Sequence, residues 1–251
     1  MEAEIVVVPD PEVLAREAAQ RFADLAREAV EFRGRFSVAL SGGSTPGGLY
    51  RLLAEEPYRA QIPWDGVHLF WGDERCVPPD DPGSSFRLAE DTLIARVPIP
   101  PGNVHRVPGE LGPEAAARVY ETMLQDFFCG PRPRLDLVLL GLGEDGHTAS
   151  LFPGSSALDE NERLVAPVTA FYQDRPAQRV TLTLPAINGA RQILFLASGK
   201  AKANIVQAVI EGPVGQFPAQ RVRPTAGQLT WLLDTAAASR LQGILVRRKT
   251  A

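Results

Sequence analysis

The chain has 251 residues, 45% of them hydrophobic and 22% charged, with a formal net charge of −4. This composition suits one large or two small globular domains with a sizeable core, and it excludes a disordered chain. With no basic excess and with its arginines scattered, the sequence also argues against a nucleic-acid partner.

In chain order, the first apolar run, IVVV (5–8), is too short to cross a membrane and has acidic flanks. Neither a signal peptide nor a membrane span is expected there or further on. A helix follows at 11–32, where Leu14, Ala18, Phe22, Leu25 and Ala29 recur along one face. Next come a strand at 36–40 (FSVAL), a helix at about 46–56, a strand at 67–71 (VHLFW) and helices at about 84–95 and 113–128. Strands at 135–140 (LDLVLL), 179–184 (RVTLTL) and 192–197 (QILFLA), a helix at 200–211 and a strand at 229–233 (LTWLL) complete the series.

Such alternation, with several strands apolar throughout, predicts an α/β fold. It is read as a single Rossmann-like domain spanning 1–251, its mainly parallel sheet covered by helices on both faces, with edge pieces free to run antiparallel. The Pro- and Gly-rich stretches 77–85, 96–103 and 129–134 are short enough to be surface loops. Cys76 and Cys129 are too far apart for a metal-type pair and too few for a disulfide scaffold, which fits a reducing cytoplasm.

Four polar clusters follow predicted strands: SGGSTP (41–46), GDER (72–75), GLGEDGH (141–147) and SGK (198–200). The carboxyl ends of parallel strands share one edge, so these clusters are expected to converge on one crevice. In the first, Gly42, Gly43, Ser44 and Thr45 lead into a helix with Pro46 at its start. Unpaired N–H groups at the positive end of the helix dipole, with hydroxyls beside them, make a phosphate cradle. A capped turn without a ligand fits the same residues equally well. The turn is not a P-loop, because no G-K-[ST] follows.

Gly141, Gly143 and Gly146 match the dinucleotide pattern G-x-G-x-x-G, but Glu144 and Asp145 stand where a pyrophosphate would sit, so that reading is rejected. What remains is a flexible turn presenting Asp145 and His147, next to a helix start in HTASLF. Asp145 also suits a helix cap and His147 a histidine bound in a turn. Asp73, Glu74 and Arg75, taken alone, read as a surface ion-pair cluster. Lys200 opens a helix, where a cation is unfavourable unless an anion offsets it, and Arg179 is a second candidate cation. His68, inside a strand, reads as packed or paired; His105 has no companion at metal-ligand spacing, and no metal site is expected.

Taken together and in order, LSGGSTP, FWGDERCVPPDDPGSSFRLA, LVLLGLGEDGHTASLFPG and RVTLTLPAINGARQILFLASGKAKANIVQAV resemble the 6-phosphogluconolactonases of the pentose phosphate pathway, over about residues 36 to 235. The resemblance implies a deaminase/lactonase-type α/β fold, no organic cofactor and a small sugar-phosphate lactone as partner, in a monomer or small homo-oligomer. Related glucosamine-6-phosphate deaminases carry a DGHIAFNEP-like loop with an acidic residue five positions after the histidine, where this chain has Phe152, and DEY in place of DER. An apolar ring cannot move the extra proton that a deaminase moves. Lactonases of this type usually carry Ser-Asn where this chain has Ser84 and Ser85.

The resemblance and the residues together imply roles. The Gly42–Thr45 turn, Arg179 and Lys200 hold the phosphate, and neutral His147 takes a proton from the water that attacks C1. Asp145 orients the imidazole, Arg75 meets charge developing on oxygen, and Asp73 holds Arg75 or a sugar hydroxyl. A covalent route through Ser41, Ser44 or Ser150 is disfavoured, since none sits in a G-x-S-x-G elbow. A sugar-phosphate sensor is the reading from another class; about 35 residues before the first motif leave no room for a helix-turn-helix unit.

Overall fold

The computed structural model describes residues 3–130, 133–172, 175–242 and 247–248. Along the chain lie β1 (Glu4–Val8), α1 (Pro11–Arg33), β2 (Phe36–Leu40), α2 (Ser44–Leu53), α3 (Tyr58–Gln61), β3 (Val67–Trp71), β4 (Asp73–Arg75), α4 (Ser85–Thr92) and α5 (Pro113–Phe128). Then follow β5 (Leu137–Leu140), β6 (Val165–Thr169), β7 (Gln178–Leu182), α6 (Leu184–Asn188), β8 (Gln192–Ala197), α7 (Ala203–Glu211), β9 (Gln228–Asp234) and β10 (Arg247–Arg248).

Local chemistry sets the ends of α1. Asp10 accepts the N–H of Val13 at 2.8 Å, Pro11 occupies the first turn, and Gly34 ends the helix at φ 73°, a left-handed cap that glycine adopts without a Cβ penalty. The buried stripe running from Leu14 through Ala18, Phe22 and Ala26 to Ala29 packs the helix on the sheet. All pairings of the main sheet are parallel, in the order β10-β1-β9-β8-β5-β2-β3. The buried apolar side chains form one continuous cluster. No helix of the described residues is long and apolar enough to cross a membrane.

Three expectations need correction. The run 179–184 is not part of the main sheet; its strand, β7, forms a separate three-stranded antiparallel sheet in the order β4-β7-β6. The reason is connection length: β6 reaches β7 through residues 170–177, a hairpin too short for the crossover that parallel pairing requires. Likewise, GDER is not a loop after β3. Gly72 turns the chain out of the main sheet, donating to the Leu40 carbonyl while its own carbonyl accepts from Leu182, both at 2.8 Å, and Asp73–Arg75 continues as β4. Finally, no helix begins in HTASLF. Thr148 and Leu151 pair in an isolated bridge around Ala149, which takes the left-handed φ of 48°.

Candidate active site

Strand order sets the place of the site. From β2 the chain goes to β3 at one side, then returns past β2 to β5, and the order continues the other way to β8 and β9. The reversal between β2 and β5 opens a crevice at their carboxyl ends. Two buried tyrosines fix how the bordering loops begin. The Tyr50 hydroxyl accepts from the Ser41 N–H at 2.9 Å and donates to the Ser41 carbonyl at 2.7 Å. Tyr120 grips Trp71 in the same way, at 2.7 and 3.0 Å. Burial pushes both phenols above their usual range, so both stay neutral donors and acceptors.

The crevice is a cleft of about 190 Å³ lined by Ser41 to Pro46, Asp73, Arg75, His147 and Arg179, together with Tyr172, Arg175, Ser198 and Lys202. At its floor Gly43 takes φ 111° and ψ 170°, a region open essentially to glycine alone, and caps α2 with no side-chain hydrogen bond to the first turn. That leaves the positive end of α2 available to an anion.

Four cations, Arg75, Arg175, Arg179 and Lys202, line the cleft with Asp73 as the single carboxylate among the described lining residues. None of the four has an ion-pair partner among the described residues, in a chain whose net charge is negative. Arg179 is 2% exposed, and its Nη2 and the Nε of Arg75 are buried without partners among the described residues. Burial lowers the pKa of Arg179; Asp73 opposes this, and Arg75 and Arg175 add to the lowering. A bound anion would relieve all three costs at once.

At the other border, His147 Nδ1 lies 2.5 Å from Asp145 Oδ1, which also accepts the His147 backbone N–H at 3.1 Å. The carboxylate is therefore the acceptor for Nδ1–H, leaving Nε2 as the ring nitrogen free for chemistry. The turn is closed by Gly143 N–H donating to the His147 carbonyl at 2.8 Å, and a Cβ at Gly143 would lie 2.1 Å from Nδ1, so only glycine admits this pairing. Phe152 packs on the imidazole at 4.3 Å with the rings tilted by 32°, and the Arg179 guanidinium lies 5.2 Å from the same Phe152 ring. Burial lowers the pKa of His147, while Asp145 and Asp73 oppose.

The expected residues thus meet with one exception. Gly42, Gly43, Ser44, Thr45, Asp73, Arg75, His147 and Arg179 line one cleft, and Asp145 stands behind the imidazole. Lys200 is exposed and lies outside the lining; Lys202, two residues on, takes that place. A 3-10 turn at Lys200–Lys202 precedes α7, which changes the phase expected from an α-helix starting at Lys200. Asp234 fixes this corner, accepting from Ser198 Oγ at 2.6 Å and from the Gly199 N–H at 2.9 Å.

Asp73 does not hold Arg75. Its Oδ2 accepts from the buried Ser150 hydroxyl at 2.6 Å, and Arg75 donates instead to the Gly83 carbonyl. Ser150 is thereby committed, and Ser41 donates to the Gly42 carbonyl; among the described residues no serine pairs with the imidazole as a nucleophile would. Glu74 turns away and binds the start of α4, accepting from the N–H groups of Ser85 and Phe86 at 2.7 Å and from Ser84 Oγ at 3.0 Å. Burial raises its pKa against those bonds. Glu74→Ala should strand these donors and lower unfolding stability by about 2–3 kcal/mol, read from a shifted denaturant midpoint at constant slope.

Ser85 lies against the Gly42–Thr45 turn, its hydroxyl buried without a partner among the described residues and 2.6 Å from where a Gly42 Cβ would be. His68 is paired, its Nδ1 lying 3.1 Å from His105 Nε2. Burial, with His68 beside it, lowers the His105 pKa to about 4. Both cysteines are free, and burial, then Glu74 and Glu114, push Cys76 up to about 11, away from reactive thiolate. Among the described residues no group of His, Cys, Asp or Glu could hold a metal ion.

Comparison with known proteins gives the same picture. The chain is 39% identical to a 6-phosphogluconolactonase of Nostoc sp. over 247 residues, covering 96% of this chain and 99% of that one. It superposes on the 6-phosphogluconolactonase of Trypanosoma cruzi with a TM-score of 0.87 at 31% identity, covering 96% and 98% of the two chains. It also superposes on a monomeric glucosamine-6-phosphate deaminase, with a TM-score of 0.82 at 26% identity over 95% and 100%. With residues 9–231 matching its model, the chain belongs to the family of glucosamine-6-phosphate isomerases/6-phosphogluconolactonase.

Proposed function

We propose that the chain, as one domain, hydrolyses 6-phosphoglucono-1,5-lactone to 6-phosphogluconate, with His147 activating the attacking water. The observation that carries this reading is the placement of an unpaired cation cluster and a glycine-built helix start in the same cleft as an imidazole with Nε2 free. The phosphate is held by the Gly42–Thr45 turn with Arg179 and Lys202. Lys202 replaces Lys200 in this role because it is the one that lines the cleft. Fixing the remote phosphate places the lactone carbonyl near the imidazole and removes orientational freedom from the reaction.

Neutral His147 Nε2 takes a proton from water as the water oxygen bonds to C1. Negative charge then grows on the carbonyl oxygen, where Arg75 is the nearby donor with capacity to spare. As the intermediate collapses, the C1–O5 bond breaks and the imidazolium returns its proton to the ring oxygen, leaving a carboxylic acid that ionises and a free C5 hydroxyl. Asp145, on Nδ1, steadies the cation between the two steps.

Phe152 separates this reading from a deaminase. The position holds an apolar ring packed against the imidazole, where ring opening of an amino sugar needs a proton-carrying group. Protein added to freshly made lactone should accelerate its disappearance and release no ammonia from glucosamine 6-phosphate. Ammonia release would favour the deaminase, and tight binding of the lactone without turnover would favour a sensor.

A further inference from the structure

We propose that Tyr172 is a positioning residue for the His147 imidazole, packing on the side next to the one that Phe152 covers. The inference rests on reading His147 as the base. The Tyr172 ring meets the imidazole at 4.7 Å and 76°, Phe152 meets it at 4.3 Å and 32°, and the two aromatic rings are 5.7 Å apart. Asp145 secures Nδ1 alone. That bond holds the ring at Nδ1, and the two aromatic rings, in contact with each other on adjacent sides of the imidazole, restrict its rotation about Cβ–Cγ.

Phe152 belongs to the same loop as His147, but Tyr172 arrives from elsewhere. It rides on the connection from β6 to β7, whose base is tied by the Ala170 N–H donating to the Ala177 carbonyl at 2.9 Å. Its neighbour Phe171 is 90% exposed. The connection therefore leaves one aromatic in solvent and seats the next on the imidazole, at the edge of the core. The charged groups around the imidazole are Asp145 on its own loop, Asp73 on β4 and Arg179 on β7. Tyr172 adds an aromatic wall that excludes water. Burial, the leading cause of the lowered His147 pKa, depends in part on that wall.

The test compares Tyr172→Ala and Tyr172→Phe in the full chain, with the His147 imidazole followed by NMR titration and assigned through His147→Asn. In Tyr172→Ala the titration should move up toward the reference value of about 6.5. With the ring loosened, kcat should fall about tenfold while KM changes little. Tyr172→Phe, which keeps the ring, should restore both. A His147 titration identical in Tyr172→Ala and the parent chain would overturn the proposal, as would an unchanged kcat. A shifted titration that the pH profile of lactone hydrolysis fails to follow would keep Tyr172 as the wall and remove His147 as the base.

Discussion

His147→Asn should lower kcat for the lactone by about 10² to 10⁴-fold while leaving KM within a few fold, the range expected when a positioned general base is lost. Asparagine can still accept a hydrogen bond from water but cannot carry the proton, and the turn before α2, proposed to hold the phosphate, is untouched by the change. The pH dependence of the parent chain adds a second check. Only the neutral imidazole is a base, and burial depresses its pKa below the reference value of about 6.5. Activity should therefore be flat through neutral pH and fall as pH drops through the depressed value. An acid limb centred above 6.5, or turnover retained in His147→Asn, would assign the base to another group.

Arg179→Ala should cost about 10² to 10³-fold in kcat/KM, most of it in KM, because a buried, hydrogen-bond-ready cation that meets an anion is worth several kcal/mol. The substrate decides where that energy acts. On the unphosphorylated lactone the variant and the parent should converge, since no phosphate is present for Arg179 to hold. Arg179 also lies close enough to His147 to lower its pKa and sits over the Phe152 ring. If the loss is equally large on the unphosphorylated lactone, Arg179 works at the carbonyl end and the phosphate belongs to Lys202 and the turn.

How much of this was legible in the sequence depended on whether the signal was local. The strands 36–40, 67–71 and 192–197 and the helix 113–128 match the expected limits, because each is an apolar or periodic run bounded by breakers. β4 is three residues of polar sequence and β6 contains Pro167, so neither carries strand chemistry of its own; both exist by pairing with β7. The glycine-rich motifs were legible for the same reason as the strands, and the structure brings their residues to one cleft. Tyr172 and Arg175 sit in the β6–β7 connection without a motif, and Lys202 rather than Lys200 lines the cleft because a single 3-10 turn precedes α7. The role of Glu74 was also hidden, since its partners Ser84 to Phe86 lie a loop away.

The tyrosine hydroxyls at Ser41 and Trp71 have a consequence for how substrate is met. Where neighbouring strands part to make room for a guest, each loses ladder partners, and the freed peptide groups would ordinarily pull the gap shut or draw in solvent. At the end of β2, which parts from β5, the Tyr50 phenol oxygen serves both the N–H and the carbonyl of Ser41, and Tyr120 does the same for Trp71 on the edge strand β3. The β2 side of the mouth is thereby propped ajar with its first loop residue already satisfied, so a guest entering there does not have to displace that pairing.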